Sequence, residues 1–248
     1  MTRGAYSNSN YLSAGTIIPA MPFTMSCWVY RGNSADSGSI LSYLYNSTVL
    51  DGWLVQLGAT EKAYLYAYTS DSGTTGSSVS CATGAWTHLA AVVASATSRT
   101  LYGNGSAGTT STASRGGISS NRFAVGVRLK NSANVSLSYS YVCEIAIYDS
   151  ALAGDSIAQL SDGFSPLLVK SNSLISYWPL VRGNGSGNEA DVIAGNTLTE
   201  TGTVGVQTHV PKLILPRRSQ RYMWAPAPTF SPRWVRSSHI ISAGVQHA

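Results

Sequence analysis

Over the first 150 residues, apolar and polar positions alternate in short runs that Gly, Asn and Ser interrupt at intervals of roughly 10–15 residues. The cleanest run is Phe23-Thr24-Met25-Ser26-Cys27-Trp28-Val29. Its period of two places Phe23, Met25, Cys27 and Val29 on one face of a strand. The same pattern predicts strands at 39–45, 52–57, 63–68, 86–94, 99–102, 122–127 and 139–148. Gly103-Asn104-Gly105 reads as a tight turn, and 107–117 as a Ser/Thr/Gly-rich loop. One short helix is predicted, with Asp155 as its N-cap, Ile157 and Leu160 as an apolar pair, and Gly163 just past its end. Many short strands with turn signals between them define an all-β sandwich.

Composition narrows the class. The chain has 248 residues, 44% hydrophobic but only 11% charged, with 14 tyrosines. Scarce Glu and Lys exclude a long helical bundle, and no apolar run approaches the roughly 18 residues of a membrane-spanning helix. The net charge of +5 is lopsided. Residues 1–208 carry ten Lys/Arg against eleven Asp/Glu, giving −1, whereas 209–248 carry six cations and no acid, giving +6. The basic end calls for an acidic partner surface.

Cys27, Cys81 and Cys143 are odd in number and two lie inside strand runs, so all three are expected as reduced thiols. Pro19 and Pro22 interrupt the one early apolar stretch, which predicts synthesis in a host cytoplasm without a secretory signal. Asn46, Asn104, Asn134 and Asn184 then stand in incidental N-x-Ser/Thr triplets.

Three segments carry a family resemblance. FTMSCWVY, a Gly-rich turn and SILSYLY resemble the opening of the laminin-G-like, concanavalin A-like jelly roll. GAWTHLAAVVASATSRTLYGNGSAG resembles its middle, where a Trp-x-His strand runs into one ending Leu-Tyr-x-x-Gly. YVCEIAIYDSALAGDSIAQLSDG resembles its closing strand and short helix. Together they cover about residues 20–165, in the family's order. The resemblance implies an antiparallel concanavalin A-like jelly-roll sandwich over 1–170. It leaves function open, because this fold hosts lectins, hydrolases, adhesion modules and structural proteins. Residues 174–216, with the run from Leu174 to Leu180, Asp191, Gly195 and His209, resemble a segment that accompanies such jelly rolls in bacteriophage sequences. Residues 171–211 are therefore expected as added strands packed on the sandwich, being too few to bury a core of their own. Residues 212–248 are expected as an extended C-terminal arm.

Jelly-roll glucanases carry Glu-x-Asp-x-Glu on one strand, which sets acid, helper and nucleophile on a single face. Glu61, Glu144, Glu189 and Glu200 form no such triplet, and Glu144 has Ala146 and Tyr148 at its same-face positions. Glu144 is expected as a structural or rim carboxylate, and no catalytic residue is assigned. There is no Gly-x-Ser-x-Gly elbow, and His88 falls in a strand where the family has a packing histidine. The three Cys and four His lack paired zinc spacing. Calcium, which many relatives hold with loop oxygens, finds Asp36, Asp51, Asp71 and the Glu189/Asp191 pair as candidates. They are scattered singly where Asp also closes turns, so no cofactor is assigned. Tyr64, Tyr66 and Tyr68 form a stripe on alternate positions of one strand; it suits sugar stacking, a core face or a subunit contact.

The arm contains Pro211, Pro216, Pro226, Pro228 and Pro232, which forbid a continuous helix. Arg217, Arg218, Arg221, Tyr222, Trp224, Phe230, Arg233 and Trp234 are expected to lie in grooves of a neighbouring subunit or capsid protein, Trp224 and Trp234 as anchors. Folding back on its own sandwich and a nucleic-acid contact are the alternatives, the Pro-fixed spacing and neutral body favouring protein. The resulting reading is a non-enzymatic virion structural protein of a bacteriophage, a capsid decoration or a tail or fibre accessory. It would form homo-oligomers or arrays with other virion proteins and would contact no membrane. The alternative is a glycan-binding, lectin-like module for host attachment. The third is a glycoside hydrolase.

Overall fold

A computed structural model describes residues 2–4, 10–17, 20–44, 49–115, 120–130, 133–181, 187–203, 205–210 and 213–216. The chain runs through β1 (Thr2–Gly4), β2 (Tyr11–Ala14), β3 (Phe23–Tyr30), β4 (Ser39–Leu44), β5 (Gly52–Gly58) and β6 (Lys62–Thr69). Then come β7 (Ser72–Ser80), β8 (Trp86–Ser95), β9 (Ser98–Gly103), β10 (Ser106–Ala107), β11 (Arg122–Val125), β12 (Arg128–Lys130) and β13 (Ala133–Val135). After β14 (Tyr141–Tyr148) and α1 (Gly154–Ser161) follow β15 (Leu174–Trp178), β16 (Glu189–Ala190), β17 (Thr197–Thr201) and β18 (Gly205–Gln207).

Two antiparallel sheets result among the described residues. One has the order β10-β9-β8-β3-β14-β1-β18, with β15 also paired to β14; the other has the order β16-β17-β2-β11-β4-β5-β6-β7. A short β12–β13 ribbon stands apart from both. The alternation of β3 fixes its facing: Phe23, Met25, Cys27 and Val29 are buried against the opposite sheet's Leu41, Trp53, Val55, Leu65 and Phe123. Phe23 meets Trp53 edge-on at 5.9 Å, and Phe123 stacks on Trp178 at 5.6 Å. Each large apolar side chain buried this way contributes about 1.5–3 kcal/mol. A second apolar layer forms where Ile157 and Leu160 of α1 cover Ala90, Val92, Ala146 and Tyr148 on the outer face of the first sheet.

The all-β jelly-roll sandwich with one short helix is the fold the pattern predicts. Several boundaries move. Asp155 is not the N-cap: Ala153 occupies that position without a side-chain bond, and Asp155 sits in the first turn, where a carboxylate favours the positive helix end. The strand expected to reach 127 ends at Val125, because Gly126 takes a positive φ of 81° and turns the chain out into β12. The strand expected from 139 begins at Tyr141. Strand β7 was not expected, since its sequence SGTTGSSVS shows no apolar alternation. The strands anticipated in 171–211 hydrogen-bond into the sheets: β15 extends one at β14, and β17 extends the other at β2. Within the span expected as the arm, Ile214 bridges Phe164, donating to Gly163 O at 2.6 Å and accepting from Ser165 N at 2.9 Å.

Candidate functional site

Strand β6 lies between β5 and β7 and turns Ala63, Leu65 and Ala67 into the core. Its other face therefore carries Lys62, Tyr64, Tyr66 and Tyr68 to the outside of the sandwich. The expected tyrosine stripe is an outer surface and not part of the main core. Successive ring centroids are 6.1 Å and 6.0 Å apart, and the planes of Tyr66 and Tyr68 lie within 23°.

Two glycines let the rings lie down. A Cβ at Gly58 would meet Tyr64 Cε2 at 2.4 Å, and one at Gly73 would meet Tyr68 Cε1 at 2.6 Å. Neither glycine has a positive φ, so their value here is the space a side chain would fill. Beneath the far end of the stripe, Leu44, Leu50 and Leu54 form a small apolar bed with Tyr68. Tyr64 and Tyr66 stay half-exposed while Tyr68 is only 9% exposed.

Polar groups frame this row. The β12–β13 ribbon packs Val127 and Leu129 against Ala124 on the same outer face, which carries Arg128 over the Tyr68 ring at 5.7 Å. Arg128 Nη1 also donates to the Tyr68 hydroxyl at 3.0 Å. Lys130 pairs with Asp71 at 2.7 Å, and Asp71 also accepts from Leu50 N at 3.0 Å. The Lys130 bond, with the Leu50 amide and the nearby cations behind it, holds the Asp71 carboxyl below its ordinary range. Burial raises the Tyr66 hydroxyl, and Tyr68 and Tyr64 add to that, so the phenol stays neutral. Gln56 and Ser78 stand directly across from Tyr64 on the neighbouring strands. Flat aromatic faces beside amide, hydroxyl and guanidinium donors form a surface for a ligand with apolar ring faces and polar edges.

A second aromatic group lies on the outer face of the other sheet. Tyr30 meets Trp86 at 5.6 Å and Tyr141 at 6.2 Å, both edge-to-face, and Trp28 leans on His88 at 5.4 Å. Of these, Trp86 and His88 stand in the Trp-x-His strand of the sequence, whereas Trp28, Tyr30 and Tyr141 carried no signal as a group. His88 is buried, bonded to Ser26 at 2.9 Å, and burial pulls it down to about 3, so it is a neutral packing residue as expected.

Glu144 sits at a bulge in β14, with a φ of 53°, where β15 takes over from β1 along the same edge. Tyr177 of β15 donates to its Oε2, and His209, just beyond β18, lies 3.1 Å from its Oε1. Glu144 is 2% exposed. Burial opposes charge on His209, but hydrogen bonding to Cys143 and Glu144 and the charge of the Glu144 carboxylate prevail and push it up to about 10. Burial, and after it Glu144, raises the Tyr177 hydroxyl. Glu144 is thus the structural carboxylate expected, buried rather than on a rim, with a phenol and an imidazolium as its side-chain partners.

The calcium candidates are committed to the fold. Asp36 is buried and accepts from Gly38 N, Ser138 Oγ, Tyr139 N and Ser140 Oγ at 2.6–3.0 Å. Asp191 accepts from Tyr177 N, Ile193 N and Asn196 Nδ2. Asp51 accepts from Ser70 N at 2.6 Å. Glu189 is buried at β16. Among the described residues, no three His, Cys, Asp or Glu side chains converge on a metal position. Arg217, Arg218, Arg221, Tyr222, Trp224, Phe230, Arg233 and Trp234 lie outside the described residues.

These features have relatives. A family model described as the concanavalin A-like lectin/glucanases superfamily matches residues 4–158, and the chain belongs to that family. Two solved structures share the fold. A Bacteroides ovatus protein assigned to carbohydrate binding aligns with a TM-score of 0.61 at 14% identity, over 86% of this chain and 61% of its own. The chain thus spans under two thirds of that protein. The heptameric SAP-like pentraxin of Limulus polyphemus aligns with a TM-score of 0.53 at 14% identity, over 83% of this chain and 93% of its own. None of the curated proteins matches the chain.

Proposed function

We propose that this protein is a non-catalytic carbohydrate-binding module that holds an extended glycan along Tyr64 and Tyr66, with Arg128 closing the Tyr68 end. The observation that carries the reading is the row of tyrosines about 6 Å apart, laid down over Gly58 and Gly73 on an outer sheet face. A pyranose presents C–H groups on its faces and hydroxyls at its edge. The negative face of a phenol ring attracts the former, and Arg128, Gln56 and Ser78 can bond the latter. Rings about 6 Å apart suit successive sugars of a chain better than a single terminal sugar. The lectin-type family and the carbohydrate-binding assignment of the Bacteroides protein support this reading. Engagement of Glu144 by Tyr177 and His209 speaks against hydrolysis, because a general acid or nucleophile needs a second carboxylate at hand and access to substrate.

Titration calorimetry of the full chain against soluble polysaccharides tests it. Binding that falls at least tenfold in Tyr66→Ala, with an unchanged circular dichroism spectrum, is the expected result. Equal affinity in the two proteins overturns it. Placement on a phage particle through the arm rests on composition and on the resemblance of 174–216 to a segment of bacteriophage sequences, and is tested by mass spectrometry of purified virions.

A further inference from the structure

We infer that the glycan taken by the tyrosine stripe is anionic, an extended polysaccharide bearing carboxylate or sulfate groups; this rests on the carbohydrate-binding reading above. The stripe has a cation at each end. Lys62 is exposed on the same face of β6, two residues before Tyr64, and Arg128 stands over Tyr68 at the other end. A chain that covers Tyr64 and Tyr66 runs from one cation to the other.

The two cations differ in how far the fold uses them. Arg128 spends one donor on the Tyr68 hydroxyl, and among the described residues no carboxylate hydrogen-bonds to it. A guanidinium left in this state keeps donors in a planar fork that suits a carboxylate or sulfate. Lys62 pairs with no acid among the described residues either. The carboxylates at the Tyr68 end, Asp71 and Asp51, are already bound. Asp71 is held by Lys130 and Leu50 N, and Asp51 by Ser70 N. Lys62, Arg128 and Lys130 stand against Asp51 and Asp71 along the stripe, an excess of one positive charge, although residues 1–208 taken together are slightly acidic. Local excess charge of this kind selects ligands by sign and makes their capture depend on salt.

The test uses the full chain and matched pairs of polymers: polygalacturonate with its methyl ester, and dextran sulfate with dextran. The expected result is at least tenfold tighter binding to one or both anionic members than to their neutral partners, the stronger arm identifying the group. Lys62→Gln should reduce that preference severalfold while leaving the neutral affinity in place, and Arg128→Gln should reduce it while also weakening neutral chains, whose hydroxyls Arg128 meets. Lys62→Gln, at an exposed position, decides the matter if Arg128→Gln fails to fold. Equal binding of anionic and neutral chains overturns the inference and leaves the carbohydrate reading standing. An anionic preference that survives Tyr66→Ala and Lys62→Gln undiminished belongs to another basic surface, such as the six cations of 209–248, and also overturns it. Binding to neither class sinks both readings.

Discussion

Gly73 lies beneath the ring of Tyr68 so closely that a Cβ at residue 73 would stand 2.6 Å from Tyr68 Cε1. The pair face each other directly across β6 and β7. The contact lies at the ring end of a rotatable side chain, so an added methyl group moves the ring rather than the sheet. Gly73→Ala, and likewise Gly58→Ala under Tyr64, should leave folding stability within about 1 kcal/mol, since alanine also restricts the unfolded chain. Glycan affinity should fall severalfold in each. Parallel thermal melts and calorimetry check this, and a glycine variant that binds as well as wild type would show that the flat ring pose is irrelevant.

The Glu144–His209 pair predicts a pH dependence of stability. His209 is raised from an ordinary value near 6.5 to about 10 in the folded protein. Its contribution is fully present below pH 6.5 and declines as pH rises toward and through 10. Melting temperature should therefore drop between pH 7 and 10.5 more steeply in wild type than in His209→Gln. Ionisation of tyrosines and cysteines away from this cluster acts on both proteins and cancels in the difference. At pH 7, removing the imidazolium leaves a buried carboxylate unpaired, which should cost about 3–5 kcal/mol by urea denaturation.

Asp36 ties the turn after β3 to the segment leading into β14. Its Oδ2 alone accepts from Ser138, Tyr139 and Ser140. Asp36→Asn keeps the shape but puts an amide N–H into that cluster of donors or withdraws the charge from it. The expected loss is about 3 kcal/mol, the scale of hydrogen bonds to a charged group. An unchanged denaturation midpoint would contradict the role given to this residue.

All three cysteines are buried and free, in line with the expectation of reduced thiols. Burial raises the thiols of Cys27 and Cys81, so the reactive thiolate is scarce at neutral pH. A thiol-reactive disulfide reagent should label none of them within minutes in the native protein and all three in denaturant. Rapid native labelling of Cys27 would mean that the sheets part at β3.

Much of the sandwich was legible because one face of each central strand has to be buried. Phe23, Met25, Cys27 and Val29 announce both a strand and its inward side. Strand β7 was not legible, because Val79 is its one apolar side chain and its glycines serve neighbours: Gly73 makes room for Tyr68, and Gly76 for Ser111. The tyrosine stripe was visible as a period of two, but its facing was not. Ala63 and Ala67 are weakly apolar, so the sequence of β6 could equally bury the tyrosines. The match of Leu65 with Val55 across β5 settles the side, and that is a property of the neighbouring strand. Arg128 and His209 had no local signal, since each meets its partner 60 or 65 positions away in sequence.

The most direct measurement of the central claim is a titration of glycan into protein carrying 13C-labelled tyrosine rings, with resonances assigned by single Tyr→Phe variants. Of the 14 tyrosines, Tyr64, Tyr66 and Tyr68 should shift together and saturate at one concentration, while Tyr30 and Tyr141 on the opposite outer face stay in place. Saturable shifts at Tyr30 and Tyr141 with the stripe unmoved would contradict the account.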